Sequence, residues 1–254
     1  MKNPWIVIGG LVVVLFGGSI AYSMYAGQAA NEGVEPIDVH VKGNPDGVVT
    51  LAKYSDFSCP ACGQAYPFAK EVVETYADDI RFEYKHFAFL DLGEPAALAA
   101  EAAGQQDAFF EYHDLMFENQ NQWLRSSAPQ RYFEQYAEEL GLDVDQWNQQ
   151  RGSSVLRNKI RADTEEGHSL GVTGTPTFFL SGERMNYQTF DEFRDQVEAA
   201  LEAEGVETVS GDEHGDMGIE LDGEGTEDIE IEVGDPEAET EAEAGAEGDV
   251  EFGI

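Results

Sequence analysis

The chain holds two cysteines, Cys59 and Cys62, three residues apart in Ser58-Cys59-Pro60-Ala61-Cys62. The residues on either side of the pair follow different periods. Upstream, Val48–Phe57 reads as a strand, apolar and aromatic, after the turn residues Asn44-Pro45-Asp46-Gly47. Downstream, Ala65, Phe68, Ala69, Val72, Val73 and Tyr76 recur at helical spacing. Proline is favoured at the first helical position, so Pro60 makes Cys59 the N-cap and places Cys62 one turn in. A sulfur at the N-cap faces unpaired N–H groups and the positive end of the helix dipole, which favours its thiolate. The expected arrangement is an exposed nucleophile, Cys59, and a buried partner, Cys62, close enough on one turn to form a disulfide. Pro67 is expected to interrupt and kink the helix.

Two cysteines exclude a disulfide-rich scaffold and a four-thiolate zinc site within one chain. His40, His86, His113, His168 and His214 are scattered without ligand-like pairing, and no metal is expected. As a purely structural link, a bridge across so short a loop would stabilise little. Inert buried thiols suit an exported protein poorly. Redox exchange is the chemistry that uses the pair, with a structural bridge and inert thiols as the plainer alternatives.

Composition divides the 254 residues into three. From Asn3 to Ala30 there is no charged residue, and Trp5–Ala26 is apolar enough to span about 33 Å as a helix, the thickness of a bilayer core. Trp5, Tyr22 and Tyr25 stand where interfacial aromatics belong, and Lys2 precedes the segment. Residues 1–30 are therefore expected to form a single membrane-crossing helix with the C-terminal domain outside; a cleaved signal peptide is the competing reading. At the other end, residues 206–254 carry nineteen acids and no Lys or Arg. This tail, 205–254, is expected to be disordered and solubilising, although Ile229–Val233 alternates like a strand. The net charge of −37 excludes nucleic-acid binding through a basic surface.

Between them, residues 31–204 read as one domain. Strands are expected at Pro36–Val41, Val48–Phe57, Ile80–Phe87, Thr175–Ser181 and Glu183–Tyr187. Helices are expected at Pro95–Gln106, Ala108–Asn119, Pro129–Leu140, Val155–Gly167 and Phe190–Ala203. The order is that of a small mixed α/β sheet with a helical block inserted at about 93–170.

Phe57-Ser58-Cys59-Pro60-Ala61-Cys62, the helical insert and Gly171-Val172-Thr173-Gly174-Thr175-Pro176-Thr177 together resemble the DsbA-like thioredoxin-fold thiol–disulfide oxidoreductases. The similarity runs from about Pro36 to Leu201 and takes in Tyr112-His113-Asp114 and Leu140-Gly141-Leu142-Asp143. It implies a thioredoxin fold, Cys59 and Cys62 as the catalytic pair, and Pro60 and Ala61 as the variable dipeptide of the motif. It also implies a cis Pro176 against the sulfurs and a Thr175 whose backbone meets the substrate chain. Pro-Ala replaces the Pro-His or Pro-Tyr common in the family, and His86-Phe87-Ala88 stands where relatives often carry a proline. The expected activity introduces disulfides into exported proteins with free cysteines, without a cofactor beyond the Cys59–Cys62 disulfide. A membrane redox partner would reoxidise the pair, and the working unit would be a monomer. A reductase or isomerase, and a non-catalytic module binding partners in a thioredoxin-like groove, are the alternatives.

Other residues have ordinary readings that compete with functional ones. His86 and His113 are candidate proton shuttles or packed core histidines. Glu83 and Lys85 are candidate tuners of Cys59 or members of a solvated face. Phe109, Phe110, Tyr112 and Phe117 read as core, while Trp123 and Trp147 fit core or groove.

Overall fold

The computed structural model describes residues 4–208, with side chains from Leu15 onward. The acidic tail from Val209 on, including Ile229–Val233, lies outside the described residues. Helix α1 covers Pro4–Ala30. Among the described residues no helix is long and apolar enough to cross a membrane, so the membrane span expected at Trp5–Ala26, ten of whose twenty-two residues precede Leu15, is not shown. The described part of α1 leaves Leu15, Phe16, Ile20 and Met24 exposed.

Five strands make a mixed sheet in the order β1-β3-β2-β4-β5: β1 (His40–Gly43), β2 (Val49–Ser55), β3 (Ile80–His86), β4 (Thr177–Leu180) and β5 (Glu183–Arg184). Only β2 and β3 are parallel, joined by the crossover helix α2 (Pro60–Thr75). β3 alternates as a half-buried strand must: Ile80, Phe82, Tyr84 and His86 point inward, Arg81, Glu83 and Lys85 outward. β1 starts four residues later than expected. It pairs with β3 only over His40–Gly43, while upstream the Glu35 amide bonds Gln105 Oε1 instead of a strand. β5 is also shorter than expected, two residues paired with Phe179 and Leu180.

Pro67 does not interrupt α2, which continues unbroken to Thr75. Its apolar stripe, Cys62, Ala65, Tyr66, Ala69, Val72 and Val73, is buried. Burial of each valine contributes about 1.5–3 kcal/mol.

The helical insert between β3 and β4 comprises α3 (Gly93–Gly104), α4 (Phe109–Glu118), α5 (Gln120–Leu124), α6 (Pro129–Glu139), α7 (Val144–Gln150) and α8 (Ser154–Ser169). The closing helix is α9 (Phe190–Ala203). The alanines of α3 are buried almost without exception, because their small side chains let neighbouring helices approach closely. α5 and α7 were not anticipated. They carry Trp123 and Trp147 into the core, where the indole N–H groups donate to the Met116 and Ala99 carbonyls. Their apolar content lies in contacts with other elements, and neither is long enough to show a period.

Candidate active site

Strand β2 delivers the chain to a turn, Asp56–Ser58, and α2 begins immediately after it. The buried Asp56 carboxylate organises that turn. Oδ1 accepts from the Ser58 amide at 2.8 Å and the Ser58 hydroxyl at 2.6 Å. Oδ2 accepts from the Phe89 and Leu90 amides, which ties the turn to the loop after β3. From the insert, Gln120 Nε2 donates to the carbonyls of Phe57 and Cys59, each at 2.8 Å. A Cβ on Gly63 would come within 2.2 Å of Gln120 Oε1, so a larger residue there would push the Gln120 amide away from these carbonyls.

Cys59 is the N-cap of α2, with extended backbone and Pro60 at the first helical position, as its sequence predicts. Its carbonyl accepts from the Cys62 and Gly63 amides. Both cysteines are unbridged. Cys59 is not exposed as expected: it is 7% accessible and Cys62 fully buried. The Thr175–Pro176 segment lies against Cys59, whose Sγ donates to the Thr175 carbonyl at 3.3 Å. The Thr175–Pro176 bond is cis, and Thr175 Oγ1 is buried beside the two sulfurs.

The two thiols are pushed in opposite directions. Cys59 is lowered to about 5, chiefly by the hydrogen bond from the Cys62 thiol, with the Thr175 hydroxyl and the Ala61 and Cys62 amides adding to it against desolvation. Cys62 is held well above the ordinary thiol range, first by burial and then by its hydrogen bond to Cys59. One sulfur is thus a ready thiolate and leaving group and the other a retained thiol. Beneath them Lys53 on β2 is 1% accessible, and burial lowers its ammonium to about 8.

The remaining sequence candidates separate. His86 packs in the core, where its Nε2 and that of His40 both meet Glu101 Oε1, at 2.8 and 2.9 Å. His113 is buried with Nδ1 on Asp114, and burial lowers it to about 4. Glu83 pairs with Arg81 and Lys85 with Glu166, as expected of a paired, partly solvated face. Among the described residues no group of three or more His, Cys, Asp or Glu side chains could hold a metal ion.

The sequence reading missed Asp56, Gln120 and Lys53. Asp56 carried a local signal, an Asp two residues before a Ser at a strand end. Gln120 carried none, since its partners are main-chain carbonyls about sixty residues away. Lys53 was a charge in an otherwise strand-like run and could have been noted as an anomaly.

The thioredoxin family model matches residues 36–199. The chain belongs to the thioredoxin family. Solved structures similar in fold to this thioredoxin domain include a thioredoxin-like oxidoreductase from Silicibacter pomeroyi, 24% identical, covering 70% of this chain and 97% of that one with a TM-score of 0.56. Another is alpha-DsbA1 from Wolbachia pipientis, 19% identical, covering 68% and 96%, with a TM-score of 0.59. BdbD from Bacillus subtilis is 20% identical, covering 68% and 95%, with a TM-score of 0.56. Together they show the thioredoxin-like fold of this domain.

Curated relatives include the Na(+)/H(+) antiporter NhaA 3 of Salinispora tropica, 38% identical over 154 residues, and NhaA 1 of a Mycobacterium species, 35% over 158. These matches take in 59% of this chain but 23% and 25% of those proteins. The thioredoxin chain spans about a quarter of the length of the curated relatives it matches.

Proposed function

We propose that the chain is an extracytoplasmic thiol–disulfide oxidoreductase that introduces disulfides into exported proteins through Cys59 and Cys62. The observation that carries this reading is the opposition of the two sulfurs, a thiolate-favouring Cys59 at the helix N-cap and a buried Cys62 that keeps its proton. A substrate thiolate attacks Cys59 Sγ of the oxidised pair, the S–S bond breaks, and Cys62 leaves. A second substrate thiolate then attacks the substrate sulfur of the mixed disulfide and releases Cys59 as a thiolate. A thiolate so favoured stabilises the reduced enzyme, which makes its disulfide a donor.

Thr175 and Pro176 form the docking edge for the substrate backbone, beside Cys59. Pro60 and Ala61 supply the turn between the sulfurs. The pair itself carries the electrons, so no dissociable cofactor is required, and a membrane redox partner returns it to the disulfide. The uncharged Asn3–Ala30 segment and the exposed Leu15, Phe16 and Ile20 of α1 support a membrane anchor with the domain on the outer side. The chain acts as a monomer, and its acidic tail keeps it soluble.

The test is a redox equilibrium of the full chain against graded glutathione mixtures. A pair that stays reduced until conditions are strongly oxidising supports the donor role. One that stays oxidised in strongly reducing mixtures overturns it in favour of a reductase or an inert bridge. Unchanged biological activity in Cys59→Ser would favour a non-catalytic binding module.

A further inference from the structure

β1 is an edge of the sheet, and among the described residues no strand lies on its outer side. Its four residues pair with β3 alone, so the main-chain groups that alternate away from β3 have no strand to bond. A groove of about 760 Å³ follows this edge, between β1 with the chain leading into it and the turn from α3 to α4. At its head the Gln105 side chain accepts from the Glu35 N–H at 2.8 Å and donates to the Glu35 carbonyl at 3.0 Å. One side chain thus gives Glu35 the two bonds that a neighbouring strand would give it. Among the described residues no side chain does the same for residues 36–43.

The two faces of this edge differ in chemistry. His40 shares the inward face of Tyr84, its register partner, and Val41 the outward face of Glu83. Side chains of a strand added here alternate in the same way. Its outward row would lie beside Val41, with Ile37 and Val39 lining the groove upstream, and suits apolar residues. Its inward row would lie over the α3–α4 turn, where Phe110, Asp107 and Glu111 line the groove. The carboxylates of Glu35, Asp107 and Glu111 are in no ion pair among the described residues. Lys42, the one lysine or arginine on the groove, is already held by Glu74 at 3.3 Å and Asp114 at 3.6 Å. The inward row therefore suits Lys or Arg. Because β1 runs antiparallel to β3, the chain before His40 leads toward the His86 end of β3. His86 is level with Ser55 at the end of β2, four residues before Cys59. An added strand would stand three strand spacings from β2, about 14 Å, which about five extended residues cover.

We propose that the outer edge of β1 receives an extended segment of the substrate polypeptide as an added strand, one whose apolar and basic side chains alternate. This rests on the exchange reading above and names the class of substrate it serves. Main-chain hydrogen bonds to β1 hold the segment, and the groove carboxylates set its register, since a slip of one residue turns the basic row away from them. A cysteine about five or more residues beyond the seated segment then reaches the Cys59 end of the sheet. The seat adds affinity and leaves the sulfur chemistry to Cys59 and Cys62.

The probe is a synthetic peptide of Lys-Val repeats, a glycine spacer and a terminal cysteine, given to the oxidised full chain. Seating is read with serine in place of that cysteine, by hydrogen exchange at the β1 amides. Those turned away from β3 are expected to exchange about tenfold more slowly when the peptide is bound, and a peptide of Glu-Val repeats is expected to leave them unchanged. The exposed double variant Glu35→Lys/Glu111→Lys should bind the Lys-Val peptide about tenfold more weakly. With the cysteine-ended peptide its KM should rise to match while kcat stays the same. Equal binding of the Glu-Val peptide, an unchanged KM in the double variant, or exchange at Cys59 without protection at β1 overturns the seat and leaves thiol exchange standing. Protection that grows with protein concentration in the absence of peptide makes the occupant a second copy of the chain and overturns the proposal. Protection by the peptide with no exchange at Cys59 overturns the exchange reading, and the substrate role with it, while the seat itself stands.

Discussion

Gln120 Nε2 and the main-chain carbonyl of Cys59 are 2.8 Å apart, a hydrogen bond between the helical insert and the first turn of α2. The same amide holds the Phe57 carbonyl, so one side chain from the insert brackets the nucleophile. The insert is thereby part of the active-site frame as well as a cover over the sheet.

Replacement of Gln120 by alanine takes its donor from the buried Phe57 carbonyl and opens space beside Gly63, while the Cys59 carbonyl keeps the Cys62 and Gly63 amides. The expected loss is about 1–3 kcal/mol of stability, read by urea unfolding of the reduced protein, together with slower mixed-disulfide formation at Cys59. An unchanged unfolding midpoint would show that the bracket contributes nothing.

Asp56 uses both carboxylate oxygens, one for Ser58 and the other for the Phe89 and Leu90 amides. Asparagine keeps one acceptor oxygen and turns an NH₂ toward a donor. Asp56→Asn is expected to destabilise by about 2 kcal/mol, and hydrogen exchange at the Phe89 and Leu90 or Ser58 amides should rise, according to which side meets the NH₂.

The hydrogen bond from the Cys62 thiol holds Cys59 far below the ordinary thiol range, at about 5. Its folded value lies under its unfolded one, so the ionisation stabilises the reduced protein fully above the unfolded thiol range. That contribution is lost as pH falls toward 5. The stability gap between reduced wild type and Cys59→Ser is expected to widen by about 3 kcal/mol between pH 5 and pH 8, with a matching thiolate absorbance step near the lower pH. A gap independent of pH would remove the basis for a stabilised thiolate.

Glu101 is fully buried and loses solvation there, yet the hydrogen bonds from His40 and His86 outweigh that cost and lower it to about 2. A carboxylate lowered in the fold stabilises above its unfolded value and stops doing so as pH falls toward 2. Glu101→Ala leaves two buried histidines unpaired and is expected to cost about 3–5 kcal/mol. Glu101→Gln should flatten the decline in melting temperature below about pH 4.5. Equal acid sensitivity in the wild type and Glu101→Gln would place the acid transition elsewhere.

The sheet, the crossover helix and the Cys59 N-cap were legible because each rests on local patterning: alternation in Ile80–His86, helical spacing after Cys62, and Pro60 at the first helical position. The helices around Trp123 and Trp147 were not legible. Each is one or two turns long, and its stability comes from burying an indole under other helices. Thr175 and Pro176 came from resemblance to a family, since a Thr-Pro before an apolar run has no single local meaning.

Local chemistry determined by the sequence alone placed the thiols of Cys59 and Cys62 at the start of a helix and set an uncharged segment and an acidic one at the two ends. Tertiary structure decided which sulfur is covered, and how the two thiols divide their affinity for a proton. It also decided that Gln120, sixty residues on in the chain, grips the nucleophile's backbone, and that the Lys53 charge lies beneath the pair. Burial and long-range hydrogen bonds are properties of the assembled core, and a proton's free energy on sulfur or nitrogen depends on that environment far more than on neighbours in the chain.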